Sequence, residues 1–282
     1  MGLDAKIDIV LASFNGEQYI REQLYSIFNQ TYTNWQIIIR DDGSTDNTIK
    51  IINEFIKQNP YKILLLKDKK GHLGSTFSFS ALLESSTSDY IMFCDQDDVW
   101  LPDKIYITYK EMRTMEIQYP TVPLLVYTDL KEVDQNLHLI SESFVNTHRL
   151  FSIRSPNYYE MLALSVVAGC TMMVNKIAKE YILPMPLFLT HDHWIATNIA
   201  YYGKCQFVNS ATILYRQHSN NSIGSKHVDA KYMLKRFLKI VYLMPFLKKE
   251  LNAYRFKINV FVYMYYKIKL NMLRLFNCIA NY

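Results

Sequence analysis

Three aspartates, Asp95, Asp97 and Asp98, fall within four residues directly after the apolar run Tyr90-Ile-Met-Phe-Cys94. Like charges this close repel and raise one another's pKa, so the cluster opposes folding unless a cation accompanies it. Mg²⁺ takes one or two protein carboxylates and completes its octahedron with water and substrate phosphates. The residue types therefore predict a divalent metal held together with a diphosphate. The competing reading is a helix start, in which acids ahead of Pro102 favour the helix dipole. Capping, however, uses one acid and not three.

Two more polar clusters follow apolar runs in the same way: Ser13-Phe14-Asn15 and Arg40-Asp41-Asp42-Gly43-Ser44. An acid placed after a second strand can hydrogen-bond a ribose or a base edge. Neither GxGxxG nor GxxxxGK[ST] occurs, which counts against a dinucleotide oxidoreductase and a P-loop ATPase. Further along, Asp192 sits between His191 and His193, ahead of Trp194. An acid there can cap a helix or act as a base. A zinc pair His191-x-His193 has no third His or Cys nearby, and Trp194 is either a core residue or a platform for a sugar ring. Arg216 and His218 are candidates for a diphosphate contact and a third metal ligand, with an exposed loop as the plain alternative.

The elements that must position these residues are legible in the first half. Ile7 to Ser13, Trp35 to Arg40, Lys62 to Leu66 and Tyr90 to Cys94 read as strands. Helical patterns cover 17–29, a stretch capped by Ser44 or Thr45 and carrying Ile49, Ile52 and Ile56, and 74–86. Strands alternating with helices predict an α/β fold, a mostly parallel Rossmann-like sheet flanked by helices. In such sheets ligands bind beyond the carboxyl ends of the strands, where all three polar clusters fall. Later, Leu124 to Thr128, Val166 to Val174 and Ala211 to Tyr215 read as strands and His191 to Tyr202 as a helix.

The 282 residues are half hydrophobic and one-fifth charged, a globular composition. Cys94, Cys170, Cys205 and Cys278 form no CxxC pair, so reduced thiols are expected. No signal peptide and no spanning segment is legible, so a cytoplasmic location is expected. Beyond residue 225 there are 12 Lys and Arg against 2 acids, compared with 19 against 24 before it. The charge divides the chain into a mildly acidic domain, 1–225, and a basic helical extension, 226–282.

Ile9-Val-Leu-Ala-Ser-Phe-Asn15, Asp41-Asp-Gly-Ser-Thr-Asp46, Asp95-Gln-Asp-Asp98 and Thr190-His-Asp-His-Trp194 resemble, in order and spacing, the family-2 glycosyltransferases of the GT-A fold. The CDQDDVW, HDHW and Tyr215-Arg-Gln-His-Ser-Asn-Asn221 variants are most similar to bacterial rhamnosyltransferases of surface polysaccharide synthesis. The resemblance implies that Ala12, Ser13, Phe14 and Asp42 hold the nucleotide base, with Asp42 accepting from a pyrimidine N–H. Asp95 and Asp97 form the DxD pair on ribose and on Mg²⁺ or Mn²⁺, Asp98 being an equal candidate for the metal. Asp192 is the general base of an inverting displacement. The donor is a nucleoside-diphosphate sugar, and the acceptor a glycan or a lipid-linked sugar. One departure stands out: family members often carry an arginine after strand three, where this chain has Gly71-His-Leu-Gly74, leaving His72 or Arg216 to replace it.

In the tail, Lys231, Lys235 and Lys239 share one helical face opposite Leu234, Leu238 and Val241. Such a helix suits an anionic inner membrane surface; packing on the domain, or in a homodimer, is the alternative. Nucleic-acid binding has no supporting motif. The rival functions are a nucleotidyltransferase, which usually has a basic Gly-rich loop where this chain has Ser13-Phe-Asn-Gly-Glu17, and a non-catalytic membrane or polymer binder on the same fold.

Overall fold

The computed structural model describes residues 4–68, 70–148, 150, 156–164, 166–218 and 244–279. In the first half, β1 (Ile7–Ser13), β2 (Trp35–Asp41), β3 (Ile63–Leu65) and β4 (Tyr90–Cys94) pair in parallel in the order β3-β2-β1-β4. Their continuous apolar runs follow from burial on both faces: Ile7, Ile9, Val10 and Leu11 are fully buried, each stabilising the fold by roughly 1.5–3 kcal/mol. Asp8 interrupts that run because its Oδ2 accepts from Ser86 Oγ and from the Thr87 and Ser88 amides at 2.7–3.1 Å, tying β1 to the turn before β4.

Helices α1 (Ile20–Phe28) and α2 (Thr48–Gln58) cover this half through Ile20, Leu24 and Ile27, and through Ile51, Ile52 and Phe55. Both follow the sequence reading, as does α3 (Ser75–Ser85). The start of α2 differs from it. The Asp46 carboxylate, rather than Ser44 or Thr45, accepts from the Thr48 amide at 3.0 Å.

The second half mixes directions. After β5 (Val99–Trp100) and α4 (Lys104–Gln118) comes β6 (Leu124–Val133), with β7 (Leu139–Ser141) hydrogen-bonded to it. The short helices α5 (Phe144–Thr147) and α6 (Tyr158–Ala163) precede β8 (Met172–Asn175), α7 (Ala178–Ile182), α8 (His191–Tyr202) and β9 (Lys204–Arg216). The sheet continues β4-β8-β6-β9-β5, with β8 antiparallel to both neighbours and β6 parallel to β9. The expected strand Val166 to Val174 is shorter than its apolar run, because Gly169–Thr171 forms a 3₁₀ turn.

Two helices end the described chain, α9 (Met244–Ala253) and α10 (Val260–Ile279). Leu251, Tyr254, Phe256, Tyr263 and Leu270 join the core cluster that also holds Trp194 and Phe207. Tyr266 of α10 stacks on Tyr159 of α6 at 5.6 Å. The described tail thus packs on the catalytic-side core. The expected helix with Lys231, Lys235 and Lys239, and the boundary at residue 225, lie outside the described residues.

Candidate active site

Strand register gathers the three polar clusters. Ser13 pairs with Asp41 across β1 and β2, and Leu11 pairs with Cys94 across β1 and β4, so all three loops leave the sheet at one edge. Gln96 locks two of them together. Its amide accepts from Phe14 N at 2.8 Å and donates to Phe14 O at 3.0 Å. A side chain at Gly16 would collide with Gln96, since an added Cβ would lie 2.2 Å from Oε1.

The acid turn is short of donors. Asp98 is fully buried; its Oδ1 accepts from Arg216 N at 3.1 Å, while its Oδ2 has no hydrogen-bond partner. Asp95, Asp98 and the Cys170 thiol offer atoms within 4.8 Å of one another. Burial first, then Asp97 and Asp192, push the Asp95 carboxyl up to about 7. Burial, Asp97 and Asp95 raise Asp98 well above the carboxylate range. Beneath them lies Lys104, fully buried, its amine 4.8 Å from the Trp100 ring and lowered by burial to about 8. The helix-start explanation of the acids fails on position, because β5 separates Asp98 from α4, which begins at Lys104.

Pairing of β5 with β9 brings Arg216 and His218 to this turn. His218 Nε2 lies 3.0 Å from Asp97 Oδ2, with its ring stacked on Tyr19 at 4.8 Å. Arg216 is closely held. Its guanidinium donates to Asp97 O at 2.9 Å, to Gln135 O at 2.7 Å and to Glu22, and lies over the Tyr19 ring. It is 2 % exposed and braces the acid turn from within the protein.

The cluster after β2 is the opposite case. Gly43, at φ 91°, turns the chain so that Asp41 Oδ2 accepts from both Gly43 N and Ser44 N. Asp42, 3 % exposed, accepts from Leu73 N at 2.9 Å and Gly74 N at 2.7 Å, pairs with Arg40, and lies 2.9 Å from His72 Nδ1. Burial pushes its pKa up, but the Leu73 amide, Arg40 and the Gly74 amide together hold it below the usual value. The Asp42 carboxylate, expected to contact the base, also holds the 71–74 loop. Arg40, invisible as a site residue in the sequence, is fully buried and also holds Asp68 Oδ2 at 2.6 Å, Gly71 O at 3.1 Å and Ser78 Oγ at 2.8 Å. Phe14 and His72 are left exposed side by side, ring centroids 4.2 Å apart. Ala12 and Ser13 form the floor of the same edge, with the Ser13 hydroxyl on Asp41 Oδ1 at 3.1 Å.

Asp192 opens α8. Its Oδ1 accepts from His193 N at 2.7 Å, and no other hydrogen bond from the described residues reaches the carboxylate. The neighbouring His191 ring lies 6.0 Å from that of Phe93, two residues before Asp95, which brings the start of α8 beside the acid turn. The flanking histidines diverge. His191 packs 4.0 Å from Phe79, against Gly169, where a Cβ would lie 2.5 Å from Nε2. His193 faces Glu250 at 3.7 Å, and burial, then Lys267, lowers it to about 4. They do not form a metal pair. Trp194 is a core residue, its Nε1 on Ile182 O at 2.7 Å and its ring stacked on Tyr254 at 4.8 Å.

The donor set suits a hard divalent cation. Asp95 and Asp97 could offer carboxylates and His218 an imidazole, beside the unpartnered Asp98 oxygen. Cys170, whose thiol burial pushes up, is the third group of the cluster with Asp95 and Asp98.

A parallel first half-sheet, a second half of mixed strand direction and an acid turn where they meet are the layout of a GT-A glycosyltransferase fold. The chain belongs to glycosyl transferase family 2, whose family model matches residues 8–182. It is 29 % identical over 238 residues to a dTDP-rhamnosyl transferase, RfbG, of Shigella flexneri, covering 79 % of this chain and 76 % of the relative. It is 29 % identical over 223 residues to WfaP of Escherichia coli, a UDP-Glc:alpha-D-GlcNAc-diphosphoundecaprenol beta-1,3-glucosyltransferase, covering 78 % and 80 %. The mannosyltransferase PcManGT from Pyrobaculum calidifontis, solved with GDP-Man and Mn²⁺, shares the fold with a TM-score of 0.64 at 14 % identity, covering 99 % and 74 %. Family membership removes the nucleotidyltransferase reading.

Proposed function

We propose that this protein is a metal-dependent, inverting glycosyltransferase that moves a sugar, with rhamnose the first candidate, from a nucleoside diphosphate to a lipid-linked or glycan acceptor in surface polysaccharide synthesis. The observation that carries this is the donor-starved acid turn Asp95, Asp97 and Asp98 sharing one crevice with Asp192. Asp95, Asp97 and His218 would hold Mg²⁺ or Mn²⁺, which supplies charge neutralisation for the departing diphosphate. The exposed faces of Phe14 and His72 receive the base beside Ser13. The open carboxylate oxygen of Asp192 takes the proton from an acceptor hydroxyl as that oxygen bonds the anomeric carbon and the bond to the diphosphate breaks. Asp192 is oriented for this by its helix-start bond to His193 N.

The test is a donor screen with Mn²⁺, including deoxythymidine-diphosphate rhamnose. Slow metal-dependent hydrolysis of one nucleotide sugar is expected, absent in Asp97→Ala and after chelation. A folded Asp97→Ala protein with full activity sinks the reading.

Peripheral association with the inner membrane face fits α10. No helix among the described residues is long and apolar enough to cross a membrane. Yet α10 exposes Phe261 (87 %), Tyr265, Ile268, Met272 and Leu273 along one face, with Lys269 over the Tyr265 ring. An apolar stripe with basic flanks suits an anionic interface. Phe261→Asp with Leu273→Asp is expected to cut sedimentation with phosphatidylglycerol vesicles at least threefold. Unchanged sedimentation, or loss of a dimer instead, defeats this part.

A further inference from the structure

A cavity of about 750 Å³ lies away from the acid turn, between α9 and the loop that leads into Asp192. That is an ordinary size for a small-molecule site. Pro184, Met185, Pro186, Phe188 and Trp194 give it an apolar lining. Three cations border the same space: Lys248, Lys249 and Arg255. The nearest acid on α9, Glu250, is turned towards His193, and neither lysine forms an ion pair with a described residue. Lys249 is held over the Phe188 ring at 4.4 Å, and Arg255 is fixed at the rim by bonds to Glu180 O and Leu183 O at 3.3 and 2.8 Å. Fixed cations beside exposed apolar surface demand a ligand with both characters. Phe188 is 49 % and Leu187 62 % exposed.

We infer that this groove binds the lipid-diphosphate portion of the acceptor, its phosphates against Lys248, Lys249 and Arg255 and its first isoprenoid units against Phe188, Met185 and Pro184. A soluble glycan would leave the apolar lining unused, and a flat bilayer surface already has the exposed apolar residues of α10 to meet. Position supports the assignment as well. The loop 184–190 ends at Asp192, and Thr76 at the start of α3 donates to Leu189 O at 2.8 Å, fastening the groove wall to the donor side. A lipid diphosphate anchored there would present its attached sugar towards the base. The inference rests on the transfer reading above for what the ligand is attached to, whereas binding itself is measured without turnover.

The experiment uses the full chain, with metal-free titration of farnesyl diphosphate, inorganic diphosphate and farnesol, followed by calorimetry or tryptophan fluorescence. Farnesyl diphosphate is expected to bind at least tenfold more tightly than either fragment. Lys248→Glu with Lys249→Glu, and separately Phe188→Asp, are expected to weaken it at least tenfold while melting like the parent. Binding untouched by both variants overturns the site. So does binding that needs Mn²⁺ and is lost in Asp97→Ala, which would place the probe in the donor site. Phosphatidylglycerol vesicles that depend on the two lysines, with no farnesyl diphosphate binding, would also overturn it in favour of bilayer headgroups. Donor hydrolysis is scored on the same preparation, so failure of the transfer reading shows as lost hydrolysis with farnesyl diphosphate binding intact.

Discussion

Two aspartate clusters leave the same sheet edge from β2 and β4, on either side of β1, and they have opposite surroundings. After β2, Asp41 and Asp42 are surrounded by donors: the Gly43, Ser44, Leu73 and Gly74 amides, the Ser13 hydroxyl and Arg40. After β4, Asp95 and Asp98 crowd one another and Asp97, with one backbone amide on Asp98 and an unpartnered oxygen beside it. The first pair is held below and the second above the usual carboxylate range where shifts are resolved, at Asp42 against Asp95 and Asp98. Acids already satisfied by the protein shape a pocket; acids left unsatisfied await a cation from outside. Identical residue types at equivalent strand ends are thereby assigned different work by their donors.

Asp192 breaks or sharpens this contrast most. It belongs with the unsatisfied group by proximity to Asp95, yet it is assigned proton transfer and not metal binding. Asp192→Asn keeps the size and the bond to His193 N, and removes the base. Sugar transfer is expected to fall about 10²- to 10⁴-fold in kcat, with Mn²⁺ affinity within a factor of three of the parent. A parallel loss of Mn²⁺ binding would move Asp192 into the metal site and erase the division of labour.

Asp42 tests the satisfied side. Removing one partner of a buried ion pair costs about 3–5 kcal/mol, and an asparagine amide would also face the Leu73 or Gly74 N–H donor to donor. Asp42→Asn is expected to lower stability in urea by about 3 kcal/mol, and to loosen the 71–74 loop. If it melts like the parent and instead loses affinity for pyrimidine over purine nucleotides, Asp42 reads the base and the structural assignment fails.

The difference between the clusters explains what was legible beforehand. Apolar runs with turn residues at their ends announced β1, β2 and β4 and hence the crevice, because burial on both faces leaves a continuous hydrophobic signature. Crowding of Asp95, Asp97 and Asp98 was visible since repulsion is a property of spacing. What filled Asp42 was not, because its donors come from loop 71–74 and from Arg40, residues whose pairing depends on the third strand. The partners of Arg216 were hidden for a related reason: Asp97 O, Gln135 O and Glu22 converge on it from three distant segments. Of the long helix α4 only a start near Pro102 was suggested, although Ile105, Tyr109, Met112 and Met115 are buried at helical spacing, since its Tyr, Thr and Ile residues favour strand. Lys104 and Cys170, beneath the acids, carry no motif at all.

The last and smallest expected effect separates the clusters by pH. Asp95, raised from 3.8 to about 7, holds a proton between those values in the folded protein. Its contribution to the stability of the metal-free fold is therefore present below about pH 4 and lost as pH rises through 7. Asp42 has the reverse sign, contributing above the ordinary carboxylate pKa and losing that only as pH falls through its own lowered value. A cation at Asp95 must displace the proton below pH 7, so apparent Mn²⁺ affinity is expected to drop about tenfold per pH unit from 7 to 5 and to level off above 7. Asp95→Asn should bind Mn²⁺ weakly and without that slope, and Asp42→Asn should keep the slope unchanged. Calorimetric titration at pH 5.5, 6.5 and 7.5 decides it: a flat profile in the parent would mean that Asp95 is not a ligand, and that Asp97 and His218 hold the metal without it.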